Sequence, residues 1–300
     1  MARGSEIPDE LSSFVAEERY EAHTEESHAV WREVLRRNDD LIREHARRIY
    51  PAYIEGRRGL ALPNRIPRVE ELNERLESTG WRIVPVAGYI PSSAYVGLMS
   101  RSIFPVSRVI RRAEHVDFAP APDLVHDVLG HLPLLFSAEY REFLRQLASV
   151  MTRATPNALD HEFYEAVRAM ADLRSDSETP AAELARAEAR VSRVNRTLEG
   201  GASEATCLRR MYVWSIEFGL LRDHAAFSVH GAALLSSPDE FRAACAGLAA
   251  FERYSIAVID RENTFSDPLQ RYFIADDFAH FVAVLDEYRS RMQHAELPDH

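Results

Sequence analysis

Lysine is missing from this chain of 300 residues, and all 36 of its basic residues are arginine. Such a bias points to a GC-rich bacterial genome rather than to a function. Cysteine is nearly missing: Cys207 and Cys245 are too few for a disulfide framework, a zinc ribbon or a paired redox motif. No apolar run reaches the roughly 18–20 residues that cross a bilayer, and the opening MARGSEIPDELSSF lacks the basic and apolar blocks of a signal peptide. A soluble, cytoplasmic protein without a membrane partner is the expectation. The net charge is −11 and no basic stripe could follow a phosphate backbone, which argues against nucleic acid as a partner. Glycine-rich phosphate loops, internal repeats and an alternating βαβ rhythm are absent as well.

What is present is ordinary globular material, 46% apolar and 28% charged, enough for a sizeable core. Residues 1–22 are polar and acidic and read as a loosely held arm. Without a linker to divide them, residues 23–300 read as one domain. Apolar residues recur at helical spacing from Glu25 to Tyr50, with Thr24 as N-cap and Pro51 just past the end. A shorter helix follows Pro67, over Val69–Leu76. Trp81–Val86 and Phe104–Ile110 read as strands around a loop at Ala87–Ser93. Helical patterns occupy 121–130, 137–152, 158–173, 203–222 and about 276–291, with an Ala/Glu/Arg-rich stretch at Pro180–Arg196 and short β-like pieces at Ala226–Val229 and Tyr272–Ile274. The predicted class is predominantly α with minor β.

Two histidines and one glutamate stand out. His126 and His131 are five apart, and on an α-helix such positions sit about 140° apart. They can converge on a metal if the helix ends between them, where Gly130 and Pro133 stand. Two separate histidines, each satisfied by hydrogen bonds, explain the pair equally well. Glu217 lies in MYVWSIEFGLL, flanked by Val213, Trp214, Leu220 and Leu221 at helical neighbour positions. A carboxylate on so apolar a face must be paired, protonated or bound to metal. An arginine partner would satisfy it as well as a metal. Two imidazoles and a carboxylate form the facial triad of iron(II) oxygenases, although zinc hydrolases use the same ligand types.

The flanking residues carry a resemblance. APDLVHDVLGHLPLLFSAEYREF (121–143) is similar to the iron-binding stretch of the pterin-dependent aromatic amino-acid hydroxylases. PVAGYIPSSAYVGL (85–98) resembles that family's pterin loop, and IRR (110–112) stands at its carboxylate-binding arginine. WSIEFGL (214–220), HGAALLSS (230–237) and DPLQRYFIADDF (267–278) match three further segments in the right order. The resemblance covers most of 24–153 and 205–290.

It implies a single catalytic domain of that type, holding Fe(II) and tetrahydrobiopterin or a related reduced pterin. His126, His131 and Glu217 would be the iron ligands. Arg111 would bind the amino-acid carboxylate, Asp123 would hold Arg111, Phe218 would wall the aromatic pocket, and Ser236 would support the substrate and a ligating histidine. Gly88, Tyr89, Ile90 and Ser92 would cradle the pterin. Tyr95 would stack on it in place of the family's phenylalanine, and Asp127 would replace the glutamate that follows the first histidine. Iron and reduced pterin would together activate O2, and one oxygen atom would end on the ring of an aromatic amino acid, L-phenylalanine at its 4-position first.

Departures from the family pattern leave tryptophan, and other ring positions of phenylalanine, as alternatives. Val213 replaces a tryptophan, His230 a tyrosine, Ala233 a glycine and Ala119 a threonine. His131 and Glu217 are also separated by more chain than the family has, and about 154–204 reads as a charged helical insertion. It is either a solvated hairpin or a lid or dimer contact. No regulatory domain or heptad-patterned tail accompanies the matched blocks, so a monomer or small homo-oligomer is expected. A metal-dependent hydrolase or a silent binding protein on the same fold would be the readings from other classes.

Overall fold

The computed structural model describes residues 7–116, 122–175, 179–198, 201–224, 226–262 and 269–292. Ala119, one of the departures named above, and the start of the 267–278 block lie outside the described residues.

The segment expected to be a loose arm lies, from Ile7 onward, against the rest of the chain. A short turn, α1 (Asp9–Ser12), buries Leu11 in a small cluster with Val84, Ala94, Leu98 and Ile103. Val15 pairs with Val86 in an isolated bridge, the Tyr20 hydroxyl donates to the Ile66 carbonyl (2.9 Å), and the Arg68 guanidinium lies 3.8 Å over the Tyr20 ring. An acidic composition thus conceals three residues, Leu11, Val15 and Tyr20, that pack or pair against the rest of the domain.

Helix α2 (Glu25–His45) starts where the sequence indicates. Thr24 Oγ1 accepts from Ser27 N, and Ser27 Oγ accepts from Thr24 N, a reciprocal cap. It ends at His45 instead of Tyr50 because Pro51 begins a new helix, α3 (Pro51–Leu60), at the position where a missing N–H costs nothing. Helix α4 (Val69–Leu76) follows as expected. Strands β1 (Arg82–Val86) and β2 (Ile103–Ser107) are parallel, with Arg82 opposite Ile103 and Val86 opposite Ser107. The connection is α5 (Ser92–Met99), which starts inside the stretch expected as loop, so one βαβ unit exists that the rhythm of the sequence does not reveal.

The two central segments are not α-helical. Residues His126–His131 and Val213–Glu217 are π-helical turns. Leu132 N donates to the Asp127 carbonyl and Phe218 N to the Val213 carbonyl, both across five residues. Between these turns run α6 (Ala138–Met151), α7 (Ala158–Ser175), α8 (Ala181–Leu198) and α9 (Glu204–Tyr212). Then come β3 (Leu220–Leu221), β4 (Ser228–Val229), α10 (Ala232–Leu235), α11 (Pro238–Cys245), β5 (Ala250–Arg253), β6 (Arg271–Ala275) and α12 (Phe278–Arg289). The second sheet has the order β4-β3-β6-β5, with only the β3–β4 pair antiparallel.

One large core fills the space between these elements. Its fully buried members include Trp31, Tyr53, Tyr140, Phe143, Tyr272 and Phe281. The α7–α8 hairpin has a cluster of its own, with Phe163, Ala166, Met170, Val191, Val194 and Leu198 buried between the two helices. Among the described residues no helix is long and apolar enough to cross a membrane.

Candidate functional site

The histidine pair converges by a route other than the one its spacing suggested. The helix does not end between His126 and His131: it widens to a π-turn, and positions i and i+5 then stack on one face. Two features of the sequence suit that geometry. Pro133 has no N–H to offer the Leu129 carbonyl, and the Tyr53 hydroxyl donates to it instead, at 2.8 Å. Gly130 is not a helix stop. A Cβ there would lie 2.6 Å from the Ala232 carbonyl oxygen, so its role is to let α10 approach the turn. On the other side, a Cβ at Gly219 would lie 2.0 Å from the Ser215 carbonyl and 2.3 Å from His230 Nε2. That closeness keeps the turn carrying Glu217 tight.

The result is a compact triad. His126 Nε2 and His131 Nε2 are 3.1 Å apart, and each lies 3.3 Å from one oxygen of Glu217. No other group of His, Cys, Asp and Glu among the described residues is arranged to hold a metal ion. Burial alone would raise the Glu217 carboxyl, but His131 and His126 override it and hold the group well below the usual carboxylate range. Burial pushes His131 down. At His126 the same penalty is outweighed by Glu217, and its pKa is raised.

Each imidazole is held from behind. Ser236 Oγ donates to the Ala232 carbonyl (2.8 Å), so toward His126 Nδ1, 3.0 Å away, it acts as acceptor. The proton of His126 is thereby fixed on Nδ1, and Nε2 presents its lone pair to the site. His131 Nδ1 is 3.2 Å from the Tyr140 hydroxyl, and the Phe104 ring packs at 4.9 Å from the His131 ring. Tyr140 was not singled out in the sequence. Its signal is only that Ser137 caps α6, which sets Tyr140 on the first turn facing the triad.

Arg111 is buried. Its backbone N and Nε donate to Asp123 Oδ2 at 2.7 and 3.0 Å, and Nη2 donates to Oδ1 at 2.8 Å. Its remaining nitrogen, Nη1, is buried without a partner. Asp123 Oδ1 also accepts from His126 N (2.9 Å), tying the arginine to the histidine turn. Burial raises the Asp123 carboxyl, and Arg111 more than compensates, holding it low.

Asp127 Oδ2 accepts from Ser107 N at the end of β2 (2.7 Å), and burial pushes its carboxyl up to about 7. The Tyr95 ring meets Phe104 edge-on at 6.1 Å, and its hydroxyl lies 3.3 Å from that of Tyr212, one residue before the Glu217 turn. Phe218 is half-buried at the end of that turn, 6.2 Å from Trp214. Gly88 adopts a φ of +133° with open space where a Cβ would be. Ile90 leans on the Leu11 cluster, Ser92 opens α5, and Tyr89 stacks on Tyr164 of α7.

His230 is not part of the triad. It is buried, its Nε2 donates to the Ser215 carbonyl (2.8 Å), and burial pushes its pKa down to about 4. Its ring sits edge-on to Phe278 and Phe281, the position of a core residue.

Comparison with known proteins agrees with this geometry. The model of the biopterin-dependent aromatic amino acid hydroxylases matches residues 17–161 and 192–296. The phenylalanine-4-hydroxylase of Vibrio cholerae is 26% identical over 218 residues, 72% of this chain and 58% of that protein. That of Pseudomonas aeruginosa is 27% identical over 220 residues, 73% of this chain and 65% of the relative. The chain thus spans less than two thirds of the length of both. In fold it is similar to the crystal structure of Chromobacterium violaceum phenylalanine hydroxylase with bound iron(III) and 7,8-dihydrobiopterin (TM-score 0.71, 22% identity, 97% of this chain and 94% of the other). The predominantly helical fold expected from the sequence is the one found, and the chain belongs to the biopterin-dependent aromatic amino acid hydroxylase family.

Proposed function

We propose that this protein is a monooxygenase that uses Fe(II), a reduced pterin and O2 to hydroxylate the ring of an aromatic amino acid, L-phenylalanine at its 4-position first. The observation that carries the reading is the donor face. Three cis ligands each about 2.1 Å from one ion lie about 3 Å apart, and here the two imidazole Nε2 atoms are 3.1 Å apart, each 3.3 Å from a different oxygen of Glu217. A facial triad of this composition leaves the opposite side of the metal open, as iron(II) oxygenases require.

When bound, iron and reduced pterin supply the activation of O2, chemistry that no protein side chain has. The chain's own residues do the rest. Glu217, His126 and His131 hold the metal, with Ser236 keeping His126 in the tautomer that can ligate. Arg111 is held rigid by Asp123 on two nitrogens, and its free Nη1 offers a charge-assisted donor for the substrate carboxylate. Phe218 would border the ring of the substrate. The open side of Gly88, the backbone of Tyr89, Ile90 and Ser92, and the Tyr95 ring would receive the pterin, with Asp127 beside it. This reading takes the protein as cytoplasmic, and as a monomer or small homo-oligomer. Val213, smaller than the family's tryptophan, keeps tryptophan and other ring positions as arms of one assay.

The test is turnover of L-Phe, L-Trp and L-Tyr with tetrahydropterin and Fe(II), together with the iron content of the purified protein. Ring-hydroxylated product from one of them is expected. Bound iron with no hydroxylated product from any of the three would overturn the reading. Glu217→Ala should abolish turnover and lower iron occupancy; retention of both would overturn the ligand assignment.

A further inference from the structure

The α7–α8 hairpin falls largely in the part of the chain that the family model does not match, residues 162–191. It is not a free-standing decoration. At its base the Asp160 carboxylate accepts from Ser203 Oγ and Thr206 Oγ1, both at 2.6 Å, and Glu204 Oε2 accepts from Thr155 N at 2.9 Å. The Arg209 guanidinium lies 4.4 Å over the Phe163 ring. Ser203, Glu204, Thr206 and Arg209 all cap or belong to α9, the helix that runs on into the Glu217 turn. The hairpin is therefore anchored to the element that carries a metal ligand.

Its other contact is with the opposite wall. Tyr164, next to Phe163 but outside the hairpin's own cluster, stacks on Tyr89 with ring centroids 5.8 Å apart and planes at 24°. Tyr89 belongs to the loop between β1 and α5, whose Gly88 has a positive φ and no neighbour to confine it. Ile90 is held from the N-terminal side by the Leu11 cluster. Tyr164 holds the same loop from the other side.

We propose that Tyr164 is a positioning residue for the cofactor: by stacking on Tyr89 it fixes the 87–91 loop relative to the Glu217 helix, and so pre-forms the pterin cradle. This rests on the pterin reading of that loop given above. A fixed loop spares the pterin the ordering cost on binding, so the effect falls on affinity rather than on the chemical step.

The experiment uses the full chain loaded with iron, comparing wild type with Tyr164→Ala, Tyr164→Leu and Tyr164→Phe. Three quantities are read: amide hydrogen exchange of residues 87–91 without pterin, the dissociation constant of 7,8-dihydrobiopterin, and KM for tetrahydropterin against kcat. In Tyr164→Ala the loop should exchange at least threefold faster, dihydrobiopterin should bind roughly three- to tenfold more weakly, and KM should rise in step while kcat stays within about twofold. Tyr164→Phe keeps the ring and should restore all three. Tyr164→Leu keeps bulk without a π face; it should behave like the alanine variant and serves in its place if that variant fails to fold. Unchanged exchange and pterin affinity in the alanine and leucine variants would overturn the proposal, as would a loss confined to kcat. Failure of the wild-type protein to bind any pterin would overturn the functional reading and the cofactor role together. The exchange data would still show whether Tyr164 holds the loop.

Discussion

The π-turns that carry His126, His131 and Glu217 and the α7–α8 hairpin beside them are both helical, yet different forces hold them. The turns sit in a crowded interior where polar groups are satisfied one by one. Asn38 Nδ2 donates to the Leu235 carbonyl (2.9 Å) and to the Tyr53 hydroxyl (3.0 Å), Tyr53 donates to Leu129, and Arg57 Nε donates to Asn38 Oδ1 (3.0 Å). That chain of bonds links the start of α3 and the middle of α2 to both the histidine turn and the residue before Ser236. The hairpin instead follows the ordinary amphipathic rule, an apolar stripe on each helix and charged outer faces. One region is specified by particular atoms, the other by a pattern. Substitutions should accordingly cost much in the first and stay local in the second.

The largest effect is expected at Gly130. Gly130→Val places a branched side chain where the Ala232 carbonyl already stands 2.6 Å from a Cβ. Because that obstacle is backbone, α10 must move, with a loss of about 4 kcal/mol or more in stability and loss of iron from the protein that still folds. Chemical denaturation and metal analysis read both; wild-type stability and iron content would show that the turn is more compliant than its packing implies.

His230 separates the regions by pH. Above its ordinary pKa of 6.5 it is neutral whether folded or unfolded. Between 6.5 and about 4 the unfolded chain takes up a proton that the buried ring refuses, so stability falls as pH falls through that window. The full span corresponds to about 3 kcal/mol. His230→Gln should flatten that part of the stability profile between pH 4 and 6.5, seen as a smaller difference in Tm between neutral and acid buffer. An unchanged slope would mean that other groups govern acid unfolding.

Removing one hydroxyl tests the polar network. Tyr53→Phe leaves the Leu129 carbonyl unpaired, at a cost of about 1–3 kcal/mol, with weaker iron retention because the histidine turn loses its support. Equal iron affinity in the two proteins would dissociate the network from the site. The smallest effect on the site is expected from Val194→Ala. It trims the hairpin cluster by about 1–2 kcal/mol and should speed hydrogen exchange within α7 and α8 while iron content stays the same. Iron loss in that variant would show that the two regions are less separable than their packing suggests.

The contrast also explains what could be read in advance. Amphipathic spacing and caps are local, so the starts of α2 at Thr24 and α4 after Pro67, and the hairpin helices, were all legible. Pro51 fits both the end of one helix and the start of the next, and only the path of the chain chooses between them. The β1–α5–β2 crossover was hidden because α5 is apolar on most sides, which removes the periodicity by which a helix is recognised.

At the site, the sequence by itself determined the chemistry: which side chains could ligate, that Glu217 on an apolar face needs a strong partner, and, through the ordered motifs, which family the chain belongs to. Tertiary structure decided how those side chains meet. Five-residue spacing converges only because the backbone widens into π-turns, and what permits this lies far along the chain: Tyr53 occupying the carbonyl that Pro133 leaves free, and α10 lying against Gly130. The same holds for Tyr140 behind His131, for the buried pairing that leaves Arg111 Nη1 unpartnered, and for Tyr164 on Tyr89. A local pattern records what a residue can do. Whether it is held in place to do so depends on contacts between distant segments, which no local pattern encodes.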